Sequence, residues 1–221
     1  MIEVRDLWRV YEVGSQIIEA VRGLTLTVRA GEFISIVGHS GSGKSTLLSI
    51  VGGLARPTRG TITFDGIDIW QRDDAFRAAF RNANIGFVFQ FASLIPTLDA
   101  VENVALPQMF SNGARKPSGH AKAKELLDLV SLSDKYEAFP NELSGGQQRR
   151  VAIARALINQ PRIILADEPT GDLDEETEAE VMNFLFRSSR RHNAALVMAT
   201  HNLALAQNAD RMLRMKNGTL T

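Results

Sequence analysis

Three stretches of this sequence carry residue types whose spacing suits phosphate chemistry. Gly38-His39-Ser40-Gly41-Ser42-Gly43-Lys44-Ser45-Thr46 fits the pattern G-x-x-x-x-G-K-S. Glycines there let successive backbone N–H groups turn inward on phosphate oxygens without Cβ clashes. A helix following the loop aims its positive dipole end at the same place. Lys44 then reaches the β- and γ-phosphates of a nucleotide, and the Ser45 hydroxyl falls on Mg²⁺. Downstream, Ile163-Ile164-Leu165-Ala166-Asp167-Glu168 is an apolar run ending in two carboxylates. Asp167 suits a Mg²⁺-bound water and Glu168 suits polarising the attacking water. Acidic residues after an apolar strand are common, so the glycine loop upstream is what gives this pair its chemical meaning.

Between them lies Leu143-Ser144-Gly145-Gly146-Gln147. Ser144 is a natural N-cap, and Gln147 three residues on completes a capping box. An ordinary helix start would explain those two, with Val151, Ala154, Leu157 and Ile158 as its apolar face. Two glycines in the first turn each cost roughly 1 kcal/mol against alanine. What they offer in return is backbone that an anion can approach closely. A second anion-binding helix end in a chain that already has a phosphate loop suggests shared use across a dimer.

The elements that must position these groups follow from the hydrophobic pattern. Residues 24–28, 33–37 and 61–64 read as strands, with Ala30-Gly31 and Asp65-Gly66 as turns. Helix is expected over 45–54, ending near Gly52-Gly53, and strand over 85–89, ending at Gln90. From 91 to 143 the texture changes: Pro96, Pro107, Pro117 and the Ser111-Asn112-Gly113 turn separate pieces of helical pattern, clearest over 121–130. This reads as a helical insertion. The apolar run 163–166 predicts a buried parallel strand, 177–190 an amphipathic helix, and 195–199 a strand ending at Thr200-His201. Strand–helix alternation argues for an α/β domain with a mainly parallel sheet.

Composition bounds the remaining possibilities. The chain has 221 residues, 44% hydrophobic, with a formal net charge of zero. No general electrostatic pull toward nucleic acid or an anionic membrane is expected. The absence of cysteine removes disulfides and thiolate metal sites and fits a reducing cytoplasm. No apolar run reaches the roughly 18 residues of a membrane span. The start Met1-Ile2-Glu3-Val4-Arg5-Asp6 lacks the pattern of a signal peptide. The sequence thus predicts a soluble subunit whose membrane role, if any, comes through a partner.

Over essentially its whole length the sequence resembles the ABC transporter ATPases. The resemblance implies a P-loop NTPase (RecA-like) core with an antiparallel β subdomain and an inserted helical subdomain. It places the core and β subdomain over 1–90 and 144–221 and the helical subdomain over 91–143 of a single domain. It makes Gln90 the Q-loop residue touching Mg²⁺ and water, and Thr170-Gly171-Asp172-Leu173-Asp174 the D-loop at a dimer seam. His201 corresponds to the switch histidine at the γ-phosphate, and Tyr11 is a candidate adenine-stacking aromatic. ATP and Mg²⁺ are the implied ligands. Two copies would pack head to tail, each ATP held between one glycine loop (38–46) and the other copy's 144–147. The partners implied are an integral-membrane transporter subunit and, with ATP, a second copy, at the inner face of the cell membrane.

Two departures stand out. His39 occupies a position often held by proline, where side chains face outward and little effect is expected. Asp172 stands where asparagine or a small neutral residue is commoner; its carboxylate could repel phosphate or pair with a basic group across the seam. The string 165–174, and Phe87-Val88-Phe89-Gln90 with Leu94-Ile95-Pro96-Thr97-Leu98, resemble the lipoprotein-release and macrolide-efflux group. Phe91, Leu94, Ile95 and Leu98 either pack inside the helical lobe or form a groove for a cytoplasmic helix of the membrane subunit. Two rivals compete with the transporter. A non-transport ABC ATPase acting on ribosomes or DNA would carry tandem cassettes, coiled-coil insertions or a basic excess, and a P-loop kinase would leave 143–147 unexplained.

Overall fold

The computed structural model describes residues 1–110, 118–171 and 173–221. The Ser111-Asn112-Gly113 turn, Pro117 and Asp172 lie outside the described residues. In chain order the elements begin β1 (Ile2–Val13), β2 (Gln16–Val28), β3 (Phe33–Val37), α1 (Lys44–Val51), β4 (Arg59–Phe64) and β5 (Ile67–Asp68). Next come α2 (Asp74–Asn84), β6 (Ile85–Val88), α3 (Ala100–Met109), α4 (Ser118–Leu129) and α5 (Gly145–Leu157). The chain closes with β7 (Ile163–Asp167), α6 (Glu175–Arg191), β8 (Ala195–Thr200), α7 (Leu203–Ala206), β9 (Arg211–Lys216) and β10 (Thr219–Leu220). These divide into two compact units. The first is Met1–Ala78, Leu165–Glu168 and Ala195–Thr221; the second is Ala79–Ile164 and Pro169–Ala194.

The first unit holds two sheets. One is antiparallel in the order β2-β1-β4-β5. Ile2, Val4, Leu7, Val21, Leu24, Leu26, Val28, Ile62 and Phe64 are its buried positions, and near-alternation with polar neighbours is what a one-sided sheet requires. The other runs β10-β9-β3-β8 and on to the β7 residues Leu165–Asp167. Strand β3 pairs in parallel with both β8 and β9. Every residue of β3 and of β8 is buried, which is why both read as continuous apolar runs rather than alternations. α1 packs against β8.

The second unit is mainly helical. Ala100, Val104, Ala123, Leu127, Val151 and Ile158 from α3, α4 and the α5 region form its core. α3 opens with a capping box between Asp99 and Glu102 and contains Pro107. Pro107 therefore lies within a helix instead of separating two. It sits in the last turn, where only one backbone hydrogen bond is forfeited. Fully buried Asn103 accepts from Ile95 N and donates to the carbonyls of Ile95, Leu98 and Asp99. One side chain thereby satisfies the turn that precedes α3. Among the described residues no helix is long and apolar enough to cross a membrane.

Candidate functional site

The glycine loop leaves the buried end of β3 at Val37 and returns as α1. At Gly38 an added Cβ would lie 2.3 Å from Met215 O on β9, and at Gly43 it would lie 2.2 Å from Ala20 O on β2. Gly43 also sits at φ 105°, a conformation that L side chains rarely adopt. The loop is thus wedged between two strands at positions only glycine can fill, while Gly41, at φ 77°, faces open space. Gly43 gives α1 no side-chain cap, so the first-turn N–H groups are left to an incoming acceptor. Lys44 is buried, and its ammonium donates to Gly38 O at 2.7 Å and His39 O at 3.1 Å. Ser42 Oγ is buried with no hydrogen-bond partner. His39 is exposed, as its outward-facing position predicts.

Strand β7 ends at half-buried Asp167 beside this loop. The Ser45 hydroxyl donates to the Asp167 carboxylate. Burial holds Asp167 above its ordinary carboxylate range and the Glu168 charge adds to this; the Ser45 hydrogen bond and the Lys44 ammonium oppose it. Next in sequence, Glu168 adopts a left-handed backbone at φ 45°, and its N–H donates to Ala199 O at 2.9 Å. Such a conformation costs a non-glycine residue about 1–2 kcal/mol, and it turns the carboxylate away from the strand direction. Glu168 Oε1 lies 3.0 Å from His201 Nδ1. His201 follows the last residue of β8 and is 73% exposed, against 14% for Glu168. Lys44, Ser45, Asp167, Glu168 and His201 therefore converge within the first unit: a cation, a hydroxyl, two carboxylates and an imidazole around a backbone anion cradle.

Hard oxygen donors from Ser45 and Asp167 suit Mg²⁺, which takes one or two protein ligands and completes its shell with water and substrate phosphates. Among the described residues no group of three or more His, Cys, Asp or Glu side chains could hold a metal ion.

Tyr11 lies on β1 in the same unit, directly opposite Ile18 of β2. Its link to the loop runs through β2, whose Ala20 carbonyl backs Gly43.

Gln90 and residues 144–147 belong to the second unit. Ser144 Oγ accepts from Gln147 N at 3.2 Å and Gln147 Oε1 accepts from Ser144 N at 2.9 Å, the reciprocal cap that the spacing predicts. Around Gly145 there is open space, whereas a Cβ on Gly146 would come within 3.3 Å of Thr177. Buried Arg149 donates to Gly171 O at 3.0 Å, tying α5 to the segment that opens α6. Asp174 caps α6; its hydrogen bonds from Thr177, the backbone one foremost, hold its carboxyl below the usual range. Gln90 is exposed just past β6, which stops at Val88 rather than Phe89. Arg155 of α5 grips the segment after Gln90, donating to Ser93 O and Ala92 O at 2.8 Å each. Phe91 is 73% and Ile95 36% exposed, and Leu94 and Leu98 are half-buried. Arg149, Arg155 and Asn103 are structural supports that no short-range motif announces, because each serves backbone groups remote from it or turned away from its own helix.

A family profile described as "ABC transporter" matches residues 21–171. The lipoprotein-releasing system ATP-binding protein LolD of Geobacter metallireducens is 47% identical over 218 residues, covering 99% of this chain and 96% of that protein. The macrolide export ATP-binding/permease protein MacB of Syntrophobacter fumaroxidans is 42% identical over 221 residues, covering this chain fully but only 31% of its own length. Among solved structures, the ATP-binding cassette MJ0796, a dimer in a post-hydrolysis state bound to ADP and Pi, superimposes with a TM-score of 0.94. It is 41% identical, with 100% of this chain and 96% of that chain covered. A glycine cradle flanked by an acidic strand end and a histidine, on a fold shared along its whole length with the MJ0796 cassette and matched by the family profile, makes this chain a member of the ABC transporter family of ATP-binding proteins.

Proposed function

We propose that this chain is the ATP-hydrolysing subunit of a membrane transporter of the lipoprotein-release and macrolide-efflux group. The observation that carries the chemistry is the convergence of Lys44, Ser45, Asp167, Glu168 and His201 on the glycine loop. Residues 38–46 and the start of α1 bind the phosphate chain, and Lys44 exchanges its loop carbonyls for phosphate oxygens. Tyr11 stacks on the adenine. Glu168 polarises the attacking water, and its left-handed backbone presents the carboxylate toward the γ-phosphate. His201, whose Nδ1 lies 3.0 Å from Glu168 Oε1, contacts the same phosphate and keeps the carboxylate in place. Ser45 and Asp167, with Gln90 as a further proposed contact, would hold Mg²⁺ beside the nucleotide, and the ion would supply positive charge against the charge on the transferring phosphoryl group.

Closure then joins two copies head to tail. Residues 144–147, a capped helix start with open space at Gly145, meet the γ-phosphate bound by the other copy, and hydrolysis loosens the pair. The dimeric state solved for MJ0796 supports this reading. Motion passes to an integral-membrane subunit through the exposed apolar surface at Phe91 and Ile95, with Leu94 and Leu98 beneath. The chain thereby acts on the cytoplasmic face of the membrane as one domain, with 91–143 as its helical lobe and 1–90 with 144–221 as its core. Affinity capture from detergent-solubilised membranes tests the transport role. A stoichiometric integral-membrane protein is expected; recovery of ribosomal or DNA-repair components alone overturns it.

A further inference from the structure

Arg9 precedes Tyr11 by two residues on β1, and its guanidinium carbon lies 4.4 Å from the centre of the Tyr11 ring. One guanidinium nitrogen donates to Arg56 O at 2.8 Å. A second guanidinium nitrogen, Nε, is buried with no hydrogen-bond partner. A buried donor left unpaired is a cost, so this arginine is placed by something other than hydrogen bonding alone. Flat contact with the negative face of an aromatic ring is the compensation the geometry offers. The same sheet holds a second stacked pair, Arg59 over Trp8 at 4.5 Å. There Asp6 closes the arrangement: it pairs with Arg59 at 3.7 Å and accepts from the Trp8 indole at 2.8 Å. That pair is a self-contained surface brace. The Arg9–Tyr11 pair has one anchored member, Arg9, and one half-exposed ring.

We infer that Arg9 is a positioning residue for the nucleotide base: clamped by Arg56 O, it covers one face of Tyr11 and presents the other as a fixed platform for the purine of ATP. The inference rests on the reading of Tyr11 as the base-stacking residue. Holding the ring in one plane before binding removes the entropy that a free aromatic side chain would lose on stacking. The effect belongs to the base, not to the phosphates, and it acts only through Tyr11.

Isothermal titration of ATP and of inorganic tripolyphosphate into the intact chain separates these contributions. The variants are Arg9→Ala, Arg9→Lys, Tyr11→Ala and the double variant Arg9→Ala/Tyr11→Ala. Arg9→Ala is expected to weaken ATP binding about two- to fivefold, the size of a partly exposed cation–π contact. Arg9→Lys falls between it and wild type, tripolyphosphate affinity stays at the wild-type value, and the double variant loses no more than Tyr11→Ala. ATP affinity in Arg9→Ala that equals or exceeds wild type overturns the inference. So does equal weakening of tripolyphosphate, which a merely structural arginine would produce, or full additivity in the double variant. If Tyr11→Ala itself binds ATP like wild type, the base-stacking reading fails first and the Arg9 platform falls with it.

Discussion

Arg155→Ala tests how the second unit holds the segment that follows Gln90. The guanidinium makes two hydrogen bonds of 2.8 Å, to Ala92 O and Ser93 O. Burial lowers its proton affinity relative to an ordinary arginine, yet the group remains a cation. A hydrogen bond to a charged group is worth about 1.5–3 kcal/mol net. Two would set an upper bound near 6 kcal/mol, but Ser93 is exposed and Ala92 half-buried, so water can replace part of the loss. About 2–3 kcal/mol is the expected destabilisation. For a chain of 150–250 residues each kcal/mol moves Tm by about 2–4 °C, so thermal unfolding should shift down by roughly 4–12 °C. Arg155→Lys should recover less than half, because one ammonium cannot reproduce the planar fork that meets two adjacent carbonyls. Hydrogen exchange over 90–95 should rise in the same variants. A Tm within about 1 °C of wild type, the shift expected for no more than about half a kcal/mol in a chain of this size, would refute the view that Arg155 fastens this segment. Full rescue by lysine would refute the argument from fork geometry.

Other perturbations address the first unit. Lys44→Ala should abolish productive ATP binding and hydrolysis in a phosphate-release assay; turnover near wild type would remove Lys44 from the phosphate site. Asp167→Asn bears on stability and pH together. The Asp167 carboxyl is raised in the folded state, burial being the first cause. A raised acid stabilises the fold while protonated, below its ordinary value of 3.8, and that contribution is lost as pH climbs through the folded value. At pH 7 the ionised carboxylate therefore burdens the ligand-free chain, and Asn should raise Tm by about 1–2 °C, the shift of roughly half a kcal/mol once solvent screening is allowed for, while impairing Mg²⁺-dependent hydrolysis. The gain should shrink toward pH 4; a variant less stable than wild type at pH 7 would show that the Ser45 and Lys44 interactions outweigh burial.

Much of this molecule is legible in its sequence because the relevant physics is local. Gln147 three residues after Ser144 is enough to predict the reciprocal cap, and it forms. Strands β3, β7 and β8 announce themselves because their cores are buried on both faces. β1 does not, since Arg5 and Asp6 are exposed and register shifts interrupt its alternation between Val4 and Val10. β9 hides for a similar reason: only Met215 among its residues is buried. α2 has no buried residue at all, although Phe76, Ala79, Phe80 and Ala83 recur at helical spacing along one face. In the candidate site, Lys44, Ser45, Asp167 and Glu168 are visible as motifs. The left-handed turn at Glu168 is not, because it depends on Ala199 offering its carbonyl from another strand. Arg155 serves carbonyls 62 and 63 residues away, a separation at which no spacing rule applies.

The central claim is that Glu168 drives hydrolysis of an ATP shared between two copies. Its most direct measurement is Glu168→Gln with Mg²⁺ and ATP, followed by phosphate release and by light scattering after size exclusion. Glutamine keeps the side chain's size but cannot take a proton from water, so phosphate release should fall by at least the 10²-fold typical of losing a general base. The variant should elute as an ATP-containing dimer. Phosphate release at the wild-type rate, with the chain monomeric in ATP, would contradict both the role of Glu168 and the shared site.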